Sequence, residues 1–232
     1  MSRLLSPLIH LFPRSWRDRY RYSFYNAWQT APKFFEWKLR RWSGKITYPN
    51  NPEGLVMVHL GCGDIADPRY INVDKRPAPH VHHLGGVDSL PYLGANFADF
   101  IYTSHCLEHI PYDQVPKVLA EWARVLKPGG RLRIAVPDFD GIVNAYQRSG
   151  QNLALVQPTL LGGQNYPLNF HFSAYTKPHL TGLLEAAGFV GIKAWHHGED
   201  DLTNFPDCST ATIPAGGTRV PVSLNLEGTK AE

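Results

Sequence analysis

Short apolar runs alternate with amphipathic ones through most of the chain, and that alternation predicts an α/β sheet. Leu55–Leu60 is a Val-rich, nearly unbroken apolar run, the pattern of a central parallel strand covered on both faces. Tyr70–Asp74 is a second run, Val81–Leu84 a weaker third, Phe100–Thr103 a fourth and Leu132–Val136 a fifth. Between the fourth and fifth, Asp113–Leu126 carries Val115, Val118, Leu119, Trp122 and Leu126 at helical spacing and stops at Pro128, Gly129 and Gly130. Asp138 or Asp140 is placed to cap a helix holding Ile142, Val143 and Tyr146. Thr176 is placed to cap another, with Leu180, Leu183, Leu184 and Ala187 on its core face and Gly188 at its end. Phe189–Trp195 and Val220–Leu226 read as the last two strands, so the pattern predicts a doubly wound, mostly parallel seven-stranded sheet.

Both flanks of this core differ from it. In residues 1–45, Ser15 with Asp18 forms a capping pair, after which Trp16, Tyr20, Phe24 and Trp28 recur on one helical face. Phe35, Leu39 and Trp42 form a shorter face closed by Gly44, and Pro49, Asn50, Asn51, Pro52 and Gly54 read as a linker. Residues 1–50 are thus predicted as a helical arm and linker, and 51–232 as the sheet domain. From 150 to 175 the chain turns irregular, with Gly162, Gly163, Asn165, Pro167 and Asn169 leading to His171. An insertion after the fifth strand of such a fold overhangs the ligand crevice, so this segment is predicted as a substrate lid.

Charge sharpens the division. The net +3 of the 232 residues hides an arm with ten Lys and Arg against two acids, while the rest has thirteen against eighteen. The arm also holds four of the six tryptophans. Three uses stay open for it: docking on the domain or on a second copy of the chain, lying on an anionic membrane surface, or contacting nucleic acid. Cys62, Cys106 and Cys208 are odd in number and widely spaced with no CxxC pair, so neither a disulfide framework nor a cysteine zinc site is suggested, and a reducing cytoplasm fits. Pro7, His10 and Pro13 break the one apolar stretch near the start, and no run reaches the ~20 residues of a membrane span. The expected location is cytoplasmic, with the arm reaching the inner face of the membrane if it serves the second use.

Candidate chemistry gathers at the ends of the predicted strands. Gly61 and Gly63 follow the first strand, letting the backbone turn sharply and leaving main chain open to a ligand. With Ala66 they satisfy a loose dinucleotide fingerprint, yet in that fold a full helix sets the acid ~20 residues beyond the glycines. Asp74 follows Gly63 by only 11 residues, with Pro68 between. No ordinary helix fits, and without a helix N-terminus the usual pyrophosphate site is lost. The spacing favours a nucleoside ligand without phosphates, its ribose diol facing Asp74.

These residues together resemble the class I S-adenosylmethionine-dependent methyltransferases, whose first motif commonly ends in LGCG and whose second is an acid closing the next strand. LPYLGANFADFIYTSHCLEHI, EWARVLKPGGRLRIAVPDFD and YTKPHLTGLLEAAGF look like the family's fourth strand, its turn into the fifth, and its late helix. The matches run in order from about residue 55 to 195. The resemblance implies the Rossmann-like methyltransferase fold, with the last two strands antiparallel at the sheet edge, and S-adenosyl-L-methionine as cofactor. It places Gly61, Cys62 and Gly63 around the methionine portion, Asp74 on the ribose, and Ser104 at the cofactor edge after the fourth strand. Asp88 lies near where an acid often meets the adenine amino group. His59 stands where many members carry an acid near the methionine amino group.

Methyl transfer is therefore the expected activity, and a non-catalytic binding partner built on the same fold is the alternative. No aromatic-proline motif follows the fourth strand, which leaves amide or nucleobase nitrogen without support and favours oxygen. Relatives with this LGCG, LEH and VPD pattern resemble enzymes of bacterial small-molecule and surface-glycan pathways, implying a glycan or other small-molecule hydroxyl as acceptor; nucleic acid ranks lower. A hydroxyl needs its proton removed, and His105 is expected as the base with His171 binding the acceptor. His109 is expected to be structural. No metal is expected: His105, Glu108 and His109 spell an inverted zinc-peptidase signature, but its first histidine falls at a strand end instead of on a helix. His80, His82 and His83 stand on an irregular stretch and read as surface residues.

Overall fold

A computed structural model describes residues 31–42, 46–51 and 53–232. The capping pair and aromatic face expected before residue 30 lie outside them. In chain order the elements are α1 (Ala31–Trp42), β1 (Met57–Leu60), β2 (Tyr70–Asp74), β3 (His83–Leu84), β4 (Ala98–Ser104), α2 (Val115–Val125), β5 (Leu126–Pro137) and α3 (Phe139–Arg148). They continue as α4 (Leu153–Leu161), α5 (Lys177–Ala186), β6 (Phe189–Ala194), β7 (Thr212–Ala215), β8 (Thr218–Pro221) and β9 (Ser223–Lys230). A seven-stranded sheet runs β3-β2-β1-β4-β5-β9-β6. The strands from β3 to β5 are parallel, and β9 is antiparallel to both β5 and β6. This is the doubly wound methyltransferase sheet that the apolar pattern and the resemblance predict.

One face of the sheet is covered as such a fold requires. Val58, Leu60, Ile71, Val73, Ile101, Leu132, Ile134 and Val136 pack with Val118, Leu119 and Trp122 of α2 and Leu180 and Leu184 of α5. Period-2 alternation in the strands meets period-3.6 stripes in the helices, and the Trp122 indole donates to the Val87 carbonyl at 2.8 Å. Asp138 and Thr176 cap α3 and α5 as expected, accepting from the main-chain N–H of Asp140 and His179.

The other face has an aromatic layer: Met57, Tyr70, Phe100, Tyr102 and Ala135, closed by Trp195 and Phe205 from the segment after β6. Arg133 fastens that segment. It is 1% exposed, and its guanidinium donates to Glu227 (3.0 and 2.8 Å), Asp200 (2.9 and 2.9 Å), Glu199 (3.1 Å) and the Thr203 hydroxyl (2.7 Å).

Three expectations are corrected. Val220–Leu226 is not one strand: Pro221 ends β8, which pairs with β7 through a turn at Gly216 and Gly217 (φ +58° and +76°), and β9 starts afresh at Ser223. Residues 150–175 are not irregular throughout, since α4 forms despite Pro158; Ala154 and Pro158 are exposed, so water can serve the unpaired carbonyl. In α1 the Phe35 and Leu39 stripe faces outward, 66% and 62% exposed, and Trp37 makes the contact instead, its indole donating to the Val81 carbonyl at 2.9 Å.

Removing the Arg133 guanidinium leaves Glu227 and the 199–203 segment without their shared partner. Arg133→Ala is expected to lose about 3–5 kcal/mol of stability, the usual result of breaking a buried ion pair from one side. Urea unfolding of variant and parent measures it, and an unchanged midpoint would show that the segment is held by its apolar contacts alone.

Candidate active site at the strand ends

The turn after β1 is built on two left-handed glycines, Gly61 (φ +68°) and Gly63 (φ +59°). A Cβ on Gly61 would stand 2.6 Å from the Cys106 sulfur, so the turn after β4 packs directly on the one after β1. Asp74 closes β2 and is 6% exposed. Its carboxylate accepts the N–H of Gly63 at 2.8 Å and that of Arg76 at 2.6 Å, and the Arg76 guanidinium lies 3.5 Å away. Each carboxylate oxygen keeps a lone pair beyond its main-chain bond, as a ribose diol needs. At the end of β4, the Ser104 hydroxyl is buried without a hydrogen-bond partner. Asp88, half-exposed and 4.0 Å from Lys75, reaches the same edge through the residue that follows Asp74.

Cys62 and His59 sit differently from expectation. The Cys62 side chain is buried against Ala78 and Val81, with Trp37 packed on the group, and burial pushes its thiol well above the usual range. Its N–H donates to the Val73 carbonyl at 3.2 Å and its carbonyl accepts from the Ile65 N–H at 3.0 Å. His59 is 1% exposed inside the aromatic layer, its ring stacked on Phe205 at 5.5 Å and near Tyr102 and Tyr70 at 5.1 and 5.8 Å. Burial lowers its pKa to about 4 and keeps it neutral. With no helix between β1 and β2, the 195–207 segment covers this position.

His105 follows β4 in the left-handed region (φ +49°), a conformation that costs a residue with a side chain on the order of 1–3 kcal/mol. Its N–H donates to the Ala135 carbonyl at 2.9 Å. The Ser223 hydroxyl donates to Asn225 Oδ1 at 2.8 Å and so accepts from His105 Nε2 at 3.0 Å, leaving Nδ1 as the lone-pair nitrogen. That Nδ1 lies 3.5 Å from Glu108 Oε1. Leu107–His109 form a single 3-10 turn, and residues 170–175 are strapped across it. Phe172 and Ser173 donate their N–H to the Glu108 carbonyl (2.8 and 3.2 Å), the Ser173 hydroxyl donates to the Ile110 carbonyl (2.6 Å), and His109 Nδ1 donates to the Phe170 carbonyl (2.9 Å). The strap sets His171 Nε2 3.9 Å from Glu108 Oε1.

The structure thus joins the two expected catalytic histidines through Glu108, a residue that sequence reasoning noted in the inverted zinc-peptidase signature and beside His109 but gave no part in the site. Glu108 is 1% exposed, and burial pushes its carboxyl up to about 8. Burial likewise lowers His105 and His171 to about 4, with His109 adding to the effect at His171. The three histidines of residues 80–83 are not free surface groups: His80 meets the Gly63 carbonyl and His82 the Asn72 N–H, while His83 is buried in β3, bonded to the Tyr48 hydroxyl and stacked on Tyr92. A cleft of ≈ 450 Å³ lined by Trp37, Tyr48, Asn72 and His82 lies beyond β2 and includes neither Asp74 nor the glycines.

A mostly parallel sheet with an antiparallel strand inside its far edge, a glycine turn after β1 and an acid closing β2 is the build of a class I S-adenosylmethionine-dependent methyltransferase. The chain belongs to the methyltransferase domain family, which matches residues 44–194. It is an enzyme of that class with S-adenosylmethionine as cofactor, and the diol-ready carboxylate of Asp74 and the buried, unpartnered Ser104 hydroxyl fit that group. Among solved structures, an S-adenosylmethionine-dependent methyltransferase from Archaeoglobus fulgidus is similar at 17% identity over 91% of this chain and 100% of its own, with a TM-score of 0.49. The 1,6-didemethyltoxoflavin-N1-methyltransferase of Burkholderia thailandensis shows 18% identity over 94% and 87%, with a TM-score of 0.49. A Bordetella parapertussis protein described as a "possible exported protein" shows 18% identity over 83% of this chain and 66% of its own, with a TM-score of 0.48. No curated protein matches the chain.

Hydrogen bonds to a charged group contribute ~1.5–3 kcal/mol, so Asp74→Ala is expected to weaken S-adenosylhomocysteine binding roughly 10- to 150-fold. Titration calorimetry measures it, and affinity equal to the parent's would remove Asp74 from the site.

Proposed function

We propose that the enzyme methylates a hydroxyl of a sugar, glycan or other small molecule, with His105 as proton acceptor and His171 on the acceptor side. The cofactor supplies a methyl already activated on a sulfonium. What remains for the chain is alignment, which can contribute roughly 7–11 kcal/mol, and removal of the hydroxyl proton, typically worth ~100- to 10,000-fold. The observation that carries this reading is His105. It is held in a strained conformation one residue beyond β4, with Nε2 tied to Ser223 and Nδ1 left as a lone pair. Strain persists only where the surroundings over-determine it, and here both the N–H and Nε2 are fixed. A proton taken up at Nδ1 would lie 3.5 Å from Glu108 Oε1, and Glu108 in its ionised form would stabilise the resulting imidazolium. His171, carried by the strap, is suited to approach an acceptor from the opposite side. The LEH and VPD resemblance supports a glycan or small-molecule acceptor over nucleic acid.

His105→Gly separates chemistry from stability, because glycine suits φ +49°. The expected variant melts no lower than the parent and binds S-adenosylhomocysteine normally, yet turns over ~100- to 10,000-fold more slowly, with partial rescue by added imidazole. Undiminished turnover would remove His105 from the mechanism. Labelled-methyl uptake across sugar nucleotides, lipid-linked glycans, small hydroxyl compounds and RNA tests the acceptor, and labelling of RNA alone would overturn the glycan and small-molecule reading.

A further inference from the structure

A buried carboxylate without a hydrogen bond is costly, and Glu108 has none on either oxygen. Its ion-pair neighbours among the described residues are imidazoles only, His105 and His171. The tautomers make the arrangement sharper. His109 spends Nδ1–H on the Phe170 carbonyl, which leaves Nε2 with the lone pair; His105 spends Nε2–H on Ser223, which leaves Nδ1. His171 turns Nε2 toward Glu108 Oε1 at 3.9 Å, with the Thr159 and Leu160 carbonyls beside its ring. Imidazole nitrogens and a carboxyl group therefore meet in one place, and among the described residues no Lys or Arg pairs with Glu108.

One ligand atom from each of Glu108, His109 and His171 lies within 4.8 Å of the others. We propose that Glu108, His109 and His171 bind a divalent transition-metal ion, with zinc as the reference occupant. Metal bonds of ~2.0–2.2 Å would draw these atoms to about 3.3 Å apart, a contraction that side-chain rotation can supply. Two imidazoles and one carboxylate suit zinc or iron better than magnesium or calcium, which prefer oxygen. The His109 bond to the Phe170 carbonyl is the outer support that metal-bound imidazoles ordinarily have, and three protein ligands leave a coordination position for an oxygen from outside. The strap completes the set: His171 reaches Glu108 only because residues 170–173 are bonded across the 3-10 turn. Such an ion would hold the acceptor oxygen and lower its pKa beside His105. That role rests on the hydroxyl-methylation reading, whereas the binding itself does not.

The test is metal content of the full chain, without acceptor or cofactor, after stripping with chelator, incubation with zinc, iron(II), magnesium or calcium, and desalting. About one zinc or iron per chain is expected, with magnesium and calcium washed out. Glu108→Gln and His171→Ala are each expected to weaken retention by more than the ~10- to 100-fold typical of losing an outer-shell partner. Should either variant fail to fold, cobalt(II) on the parent decides the matter, through visible absorption of the intensity given by a four- or five-coordinate site. Fewer than about one ion per ten chains for every metal, retention unchanged in the folded variants, or a cobalt spectrum like that of the aqueous ion would each overturn the proposal. A metal-loaded protein that methylates no hydroxyl would overturn the acceptor reading and leave the site standing.

Discussion

Asp74 follows Gly63 by only eleven positions, and the shortness of that connection governs much of the molecule. A helix cannot form between β1 and β2, so the sheet face that a helix would cover must be closed otherwise. The aromatic layer of Tyr70, Phe100 and Tyr102, with Trp195 and Phe205 laid over it, closes that face, and Arg133 bolts the covering segment down through Glu227 and Asp200. The same short connection lets the Asp74 carboxylate reach back to the Gly63 N–H. One carboxylate thereby fixes the glycine turn and remains available to a diol. His59 pays for the arrangement by being sealed beneath Phe205.

The second organising contact is the crossing of residues 170–175 over the turn at 107–110. Its hydrogen bonds run mostly from main chain or side chain of one segment to main-chain carbonyls of the other, so the crossing is specified by backbone geometry more than by side-chain identity. That geometry carries the polar cluster. Glu108 lies at the centre because the turn points it inward, and the histidines surround it from two segments about sixty residues apart, Phe170 following His109 by 61 positions. Desolvation then shifts every titratable group in the cluster toward its neutral form.

The first five strands, the capped helices at Asp138 and Thr176, and the glycine turn with its acid were legible from the chain, since each depends on local periodicity, capping chemistry or a motif of fixed spacing. The β7–β8 ribbon was missed although Ala215-Gly216-Gly217-Thr218 is a hairpin signal, because Val220–Leu226 reads as one apolar run across Pro221. The α4 helix was missed because Pro158 argues against it and only exposure of Ala154 resolves the conflict. Cys62 and His59 carried the right motif positions, but the burial of their side chains depends on residues 78–81 and 195–207, which no local pattern connects to them.

By itself, then, the sequence determined the α/β class, the strand ends where chemistry gathers, and the nucleoside-binding character of the Gly61–Asp74 interval, because those follow from spacing along one strand, turn or helix. Only the tertiary structure decided that Glu108 is buried without a hydrogen bond and that His171 reaches it. It likewise decided that His105 keeps Nδ1 as its open nitrogen and that Arg133 is the anchor of the second face. Each of these is a contact between segments distant in the chain, formed where desolvation and main-chain bonding leave a side chain one arrangement, and periodicity along the chain holds no record of such contacts.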